Sequence, residues 1–228
     1  MADGSRLRSS VGRRGTGSGT DDSSSPIFEL LVLFVLVFAV QQVAALLSIG
    51  LMAGLFVLAP PLTSNPWTIV TSVYAHGGVG HLVSNSLALI VFGWPVARAT
   101  TRLRFHLFFL VTGAIAGVSQ IVLTNAAALV LPVPGTGGVL GASGAVFALL
   151  GYLIASNRLS AGLASFVDVP GWLAALVFLG LAIAVTMATA APGVALIAHF
   201  AGFLVGLVAG RARVLNAGSR SSRRRSTV

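Results

Sequence analysis

Three short segments carry side chains that could break a peptide or ester bond together. Gly141-Ala142-Ser143-Gly144 sets a serine hydroxyl between glycines. His76-Gly-Gly-Val-Gly-His81-Leu-Val-Ser-Asn85 holds two imidazoles and a carboxamide. Ala198-His199-Phe200-Ala201-Gly202 holds a third imidazole, and glycines recur at Gly206 and Gly210. A serine with a histidine base is the minimum for nucleophilic catalysis. Such chemistry also needs hydrogen-bond donors aimed at the oxyanion that develops on the attacked carbonyl. His81 and Asn85 are four residues apart, so on a helix they share a face, and both can donate from a side chain. Ser143 stands where a helix is expected to start, and a helix N-terminus adds free N–H groups and a positive dipole end.

Each segment has a plainer reading. Gly-x-Ser-Gly can be a packing patch, because small residues are common between membrane helices. A lone histidine within a span can be structural. Two imidazoles near an amide can suggest a metal site, but no carboxylate lies near these segments and His76 precedes the helix. No metal and no cofactor are expected. His106, two residues from Arg104 at the other end of a span, reads as an interfacial residue without a catalytic role.

The elements that position these groups follow from composition. The 228 residues are 56% hydrophobic and 8% charged, with a mean hydropathy of +0.95. A soluble domain usually carries about a quarter charged residues, so this chain cannot cover a water-facing surface. Crossing a bilayer takes about 20 apolar residues of helix. That length predicts six spans, near 27–49, 79–97, 105–125, 141–157, 172–190 and 194–210. The fourth and sixth are short, which suits helices buried inside a bundle. Residues 50–66 are apolar but broken by glycine and a Pro-Pro pair, and a seventh span there is the competing topology. Residues 1–25 are polar and read as a disordered tail. The apolar run that follows is too long for a signal-peptide core. The expected organisation is a tail over 1–25, a membrane domain over 26–212 and a basic tail over 213–228.

All 14 basic residues are arginines, and with five acids they give a net charge of +9. They lie at 6–14, 98–104, 158 and from 211 onward, flanking the spans, as membrane topology requires. Nucleic-acid binding is therefore not expected. Six spans put every arginine on one side, while the loops 50–78, 126–140 and 191–193 contain none. The positive-inside rule then places both termini in the cytoplasm. The Ser143, His199 and His76/His81/Asn85 groups lie near the starts of the fourth, sixth and second spans, and so at one membrane level on the opposite side. With no cysteine, disulfides and thiolate metal sites are excluded. The Ala/Gly/Val-rich, arginine-only composition suggests a high-GC prokaryote and hence the plasma membrane.

Over about residues 67–210 the H-x4-H-x3-N, G-x-S-G and A-H-x-x-G-x-x-x-G motifs, in that order, resemble the rhomboid family of intramembrane serine proteases. The resemblance implies an all-α integral membrane protein with a six-transmembrane-helix bundle. It implies that Ser143 is the nucleophile and His199 the general base, without an aspartate. His81, Asn85 and the Ser143 N–H would form the oxyanion hole, with His76 in support. Gly141 and Gly144 would flank the nucleophile, and Gly202 would let the sixth helix touch the fourth. Two features depart from the family. Its Trp-Arg pair in the first loop is absent, Trp67-Thr68 standing near that place. Phe147 replaces a tyrosine four residues after the nucleophile, so ring stacking is kept and a hydroxyl lost. The implied substrates are single-span membrane proteins in the lipid bilayer. The alternative is a non-catalytic rhomboid-like protein that escorts clients. A small transporter would want charged midplane groups and an internal repeat, and no convincing repeat is present.

Overall fold

The computed structural model describes residues 25–156, 171–189 and 193–216. The expected tails, apart from their innermost residues, and the loop carrying Arg158 and Asp168 lie outside the described residues. Among the described residues the fold is all-helical: α1 Ser25–Leu47, α2 Ile49–Phe56, α3 Thr68–Thr71, α4 Val79–Ala97, α5 Arg102–Ala128, α6 Ser143–Ser156, α7 Gly171–Ala188 and α8 Leu196–Arg211. α1, α4 and α5 are long and apolar enough to cross a membrane. α6, α8 and the Leu176–Ala188 stretch of α7 are shorter apolar helices.

Residues 50–66 do not form a span. α2 has eight residues, roughly 12 Å of helix, far less than a bilayer core. The chain then turns through Pro60-Pro61 and is fastened back by side chains. Trp67 Nε1 donates to the Gly54 carbonyl at 2.9 Å and Thr71 Oγ1 to the Leu55 carbonyl at 2.6 Å. Leu58 pairs with Val139 in a single antiparallel bridge, so the two longer arginine-free loops meet at one end of the bundle.

α4 is not uniform. Leu89–Gly93 is π-helical, directly before Trp94-Pro95. Proline has no N–H and its ring crowds the carbonyl four residues back, here Val91; widening the turn relieves both. Gly93 lies in this turn, where a Cβ would meet Ile27 Cδ1 at 2.8 Å and the Phe105 ring at 3.3 Å. The widened turn therefore sits pressed between α1 and α5.

α6 is the central helix, buried on Ala145, Val146, Ala148, Leu149 and Tyr152. It can be short because neighbouring helices, not lipid, surround it. Its contact with α8 is set by a glycine ladder. A Cβ on Gly202 would overlap the Gly144 carbonyl oxygen, and one on Gly206 the Ala148 carbonyl oxygen; on Gly210 it would come 2.6 Å from the Tyr152 carbonyl oxygen. Both helices advance four residues per step, so the backbones run in contact over two turns, the small-residue packing that membrane helices use.

The arginine-bearing end is tied separately. Glu29 of α1 pairs with Arg102 and, at 2.7 Å, with His106 of α5. Past α8 the chain stays packed: Leu215 is buried, and Asn216 accepts from Arg104 at 3.1 Å and from Tyr152 at 3.1 Å. Outward faces carry exposed Phe28, Val35, Leu87, Val111 and Leu176, an apolar mantle suited to lipid.

Candidate active site

At the arginine-free end, a cavity of about 810 Å³ is lined by Ser143, His199, His81, Asn85 and Phe147. Four elements supply its polar groups: α4, α6, α8 and the residue after α7, Thr189. The three motif segments thus converge although 56 residues separate Ser143 from His199.

Ser143 is the first residue of α6. The first bond at this end runs from Val146 N–H to the Ala142 carbonyl at 3.0 Å. The Ser143 N–H lies before it, among those without an intrahelical partner. The preceding strand of chain is held by Gly141 N–H donating to the Ser72 carbonyl at 2.9 Å. Gly141 has φ +136°, and a Cβ there would come 2.7 Å from the His81 ring. Only glycine suits that backbone and that approach. The His81 ring is therefore laid against the chain two residues before the serine.

The Gly77 N–H donates to His81 Nδ1 at 3.3 Å. A nitrogen that accepts carries no proton in neutral imidazole, so the His81 proton sits on Nε2 and that nitrogen is a donor. Nε2 is the nitrogen that a Gly141 Cβ would meet, at 2.9 Å. Asn85 is buried and spends one amide hydrogen on the His81 carbonyl at 3.0 Å; its second hydrogen is left for the cavity.

His199 lies in the first turn of α8, buried to 8% exposure. The Phe147 ring stacks on it with centroids 4.2 Å apart and planes 18° apart. Its backbone is pinned from α5, because Gln120 Oε1 accepts from the Ala198 N–H at 3.0 Å while Gln120 Nε2 donates to Thr124. Thr189 Oγ1 lies 3.4 Å from His199 Nδ1. No hydrogen bond joins Ser143 Oγ to His199 among the described residues; such bonds are often long in the absence of substrate.

His76 lies behind the cavity and does not line it. Its ring meets Phe34 edge-on at 4.9 Å and His81 at 5.3 Å, and Gln41 Oε1 accepts from its backbone N–H at 2.9 Å. Burial, reinforced by repulsion from His81 and partly offset by the Tyr74 backbone, lowers its pKa from 6.5 to about 4. It is a neutral ring that braces His81. His106 lies at the opposite end, on Glu29. Among the described residues no cluster of histidine and acidic side chains could hold a metal.

Three residues of this region escape sequence reading: Gln41, Gln120 and Thr189. Gln41 and Gln120 had a signal, since a polar side chain inside an apolar span by default has an interior partner. Thr189 had none, standing among small residues at a span's end.

An all-helical membrane bundle with a serine, two histidines and an amide around one cavity defines the class, and comparison with known sequences agrees. The Rhomboid domain family model matches residues 63–215. The chain belongs to the rhomboid family. It is 35% identical over 95 residues to rhomboid protease GluP of Bacillus subtilis (strain 168), covering 40% of this chain and 17% of that protein. It is 28% identical over 165 residues to RHOMBOID-like protein 4 of Arabidopsis thaliana, covering 72% of this chain and 38% of that one. The chain thus spans well under half the length of either relative.

Proposed function

We propose that the protein is an intramembrane serine endopeptidase that hydrolyses peptide bonds in or near transmembrane segments, using Ser143 and His199. The observation that carries this reading is the convergence of Ser143, His199, His81 and Asn85 on one cavity. The name of the Bacillus subtilis relative, a rhomboid protease, points the same way.

In this mechanism Ser143 Oγ attacks the peptide carbonyl carbon while His199 Nε2 takes its proton. The developing oxyanion receives hydrogen bonds from His81 Nε2–H, the Ser143 N–H and the free amide hydrogen of Asn85. His199 then gives its proton to the leaving amine as the C–N bond breaks. A water, activated by the same imidazole, hydrolyses the acyl-enzyme and regenerates the serine. No aspartate takes part; stacking on Phe147 and the packed start of α8 hold the base. The catalytic domain spans 26–212 in six passes, with both terminal segments in the cytoplasm of a cell bounded by the plasma membrane. The substrates are single-span membrane proteins, cut near their non-cytoplasmic end.

A non-catalytic escort of client proteins is the second reading, and it gives no role to a serine, its base and three oxyanion donors. Labelling detergent-solubilised protein with a serine-reactive fluorophosphonate separates the two. The protease reading expects modification at Ser143 that Ser143→Ala abolishes; an intact, folded protein inert to the probe supports the escort.

A further inference from the structure

In serine–histidine catalysis the imidazole must present a bare Nε2 to the serine, so its proton must reside on Nδ1. Aspartate usually secures that tautomer. Among the described residues the one acid after the first 25 is Glu29, and it lies at the other end of the bundle with Arg102 and His106. The group at His199 Nδ1 is instead the Thr189 hydroxyl, at 3.4 Å.

The hydroxyl's own hydrogen bonds fix its role. Thr189 Oγ1 lies 3.2 Å from the Val185 carbonyl and 3.1 Å from the Thr186 carbonyl. Carbonyls only accept, so the single hydroxyl hydrogen is directed at the last turn of α7. What remains toward His199 is a lone pair. A lone pair facing Nδ1 is satisfied only if Nδ1 bears the proton, which leaves Nε2 bare. The same logic gives His81 the opposite tautomer, because there an N–H points at Nδ1. The two cavity histidines are thereby set as one acceptor and one donor.

We propose that Thr189 is the positioning residue that holds His199 in the Nδ1–H tautomer, the part an aspartate plays in a triad. The proposal rests on the dyad reading above. Thr189 directly follows α7 and His199 lies in the first turn of α8. Thr189 bears on the reaction through His199, although its side chain also lines the cavity.

The test uses the full chain with ¹⁵N-labelled histidine in detergent micelles, above the pH at which the rings titrate. Ring ¹⁵N resonances separate protonated from bare nitrogens, and loss of signals in His199→Gln assigns that ring. Wild type and Thr189→Ser are expected in the Nδ1–H form. Thr189→Val, of similar shape without the hydroxyl, is expected to lose that preference. In parallel Thr189→Val should lower kcat about tenfold with KM unchanged, the scale of one lost hydrogen bond, and Thr189→Ser should restore it. Wild-type His199 in the Nε2–H form overturns the proposal even if the valine variant does not fold. So does a Thr189→Val enzyme whose Ser143 reacts with fluorophosphonate as fast as wild type, which leaves the dyad standing. Wild type that never reacts at Ser143 removes the dyad itself, whatever the tautomer.

Discussion

Phe147 lies flat against His199, with ring centroids 4.2 Å apart and planes 18° apart. The rings are projected from near the starts of their helices, α6 and α8, and the glycine ladder fixes the distance between those ends. The stack limits the imidazole to one plane. An aromatic pair contributes about 0.5–1.5 kcal/mol beyond burial. Phe147→Leu keeps apolar bulk without the stack, and kcat should fall roughly 2- to 12-fold. Phe147→Tyr should keep wild-type activity or exceed it. Steady-state kinetics on a model substrate check both.

Gly202 should tolerate nothing larger. A methyl there overlaps the Gly144 carbonyl, and the atoms it meets are all backbone, so relief requires α8 to move from α6. Overpacking of this kind costs about 1–3 kcal/mol. Gly202→Ala should lower the unfolding temperature in detergent and reduce cleavage as well, since the same shift separates Ser143 from His199. Gly180, with nothing near its Cβ direction, is the control, and alanine there should leave both properties unchanged.

Gln120 holds the start of α8. Leucine in its place leaves the buried Ala198 N–H without a partner, at a cost of about 1–3 kcal/mol. Gln120→Glu keeps an acceptor oxygen and should lose less. Denaturant unfolding ranks the pair; leucine as stable as wild type would contradict the assigned bond.

His76 gives the fold a pH dependence of defined sign. Its pKa is about 4 when folded and 6.5 ordinarily, so between these values the unfolded chain binds more protons. Stability must then rise with pH across that window. Its neutral-state contribution is fully present above about pH 6.5 and is lost as pH falls toward 4. His76→Gln should flatten this slope in thermal melts from pH 4 to 7. An unchanged slope would mean that other groups carry it.

The proposed oxyanion donors should show graded losses. Removing one typically costs about 10²–10³ in kcat. His81→Ala should reach that range, because its Nε2–H is a committed donor. Asn85→Ala should fall at or below it, since one amide hydrogen is already bound to the His81 carbonyl. His106→Ala should leave activity intact.

Much of this architecture is legible in the sequence because bilayer thickness and arginine placement constrain it strongly. The run lengths of apolar residues locate α1, α4 and α5 within a few residues. The alternation of arginine-rich and arginine-free loops puts Ser143, His81 and His199 at one end. The identities of cross-helix partners are not legible. Nothing in the chain states that Gln120 faces Ala198, 78 positions away, or that Gln41 meets His76, because register between non-adjacent helices is a property of packing. The π-helical turn at Leu89–Gly93 is an intermediate case: Pro95 announces a disturbance but not its form. The short α2 likewise resolves what an apolar but broken stretch leaves open.

The central claim is that Ser143 cuts membrane-spanning substrates at the arginine-free end. The direct measurement reconstitutes purified protein in liposomes with a single-span substrate of known orientation, and maps the products by mass spectrometry. Wild type should cut once, near the end of the substrate helix that lies level with the cavity, and Ser143→Ala should not cut. Undiminished cleavage by Ser143→Ala, or cleavage confined to the arginine-bearing end, would contradict the account.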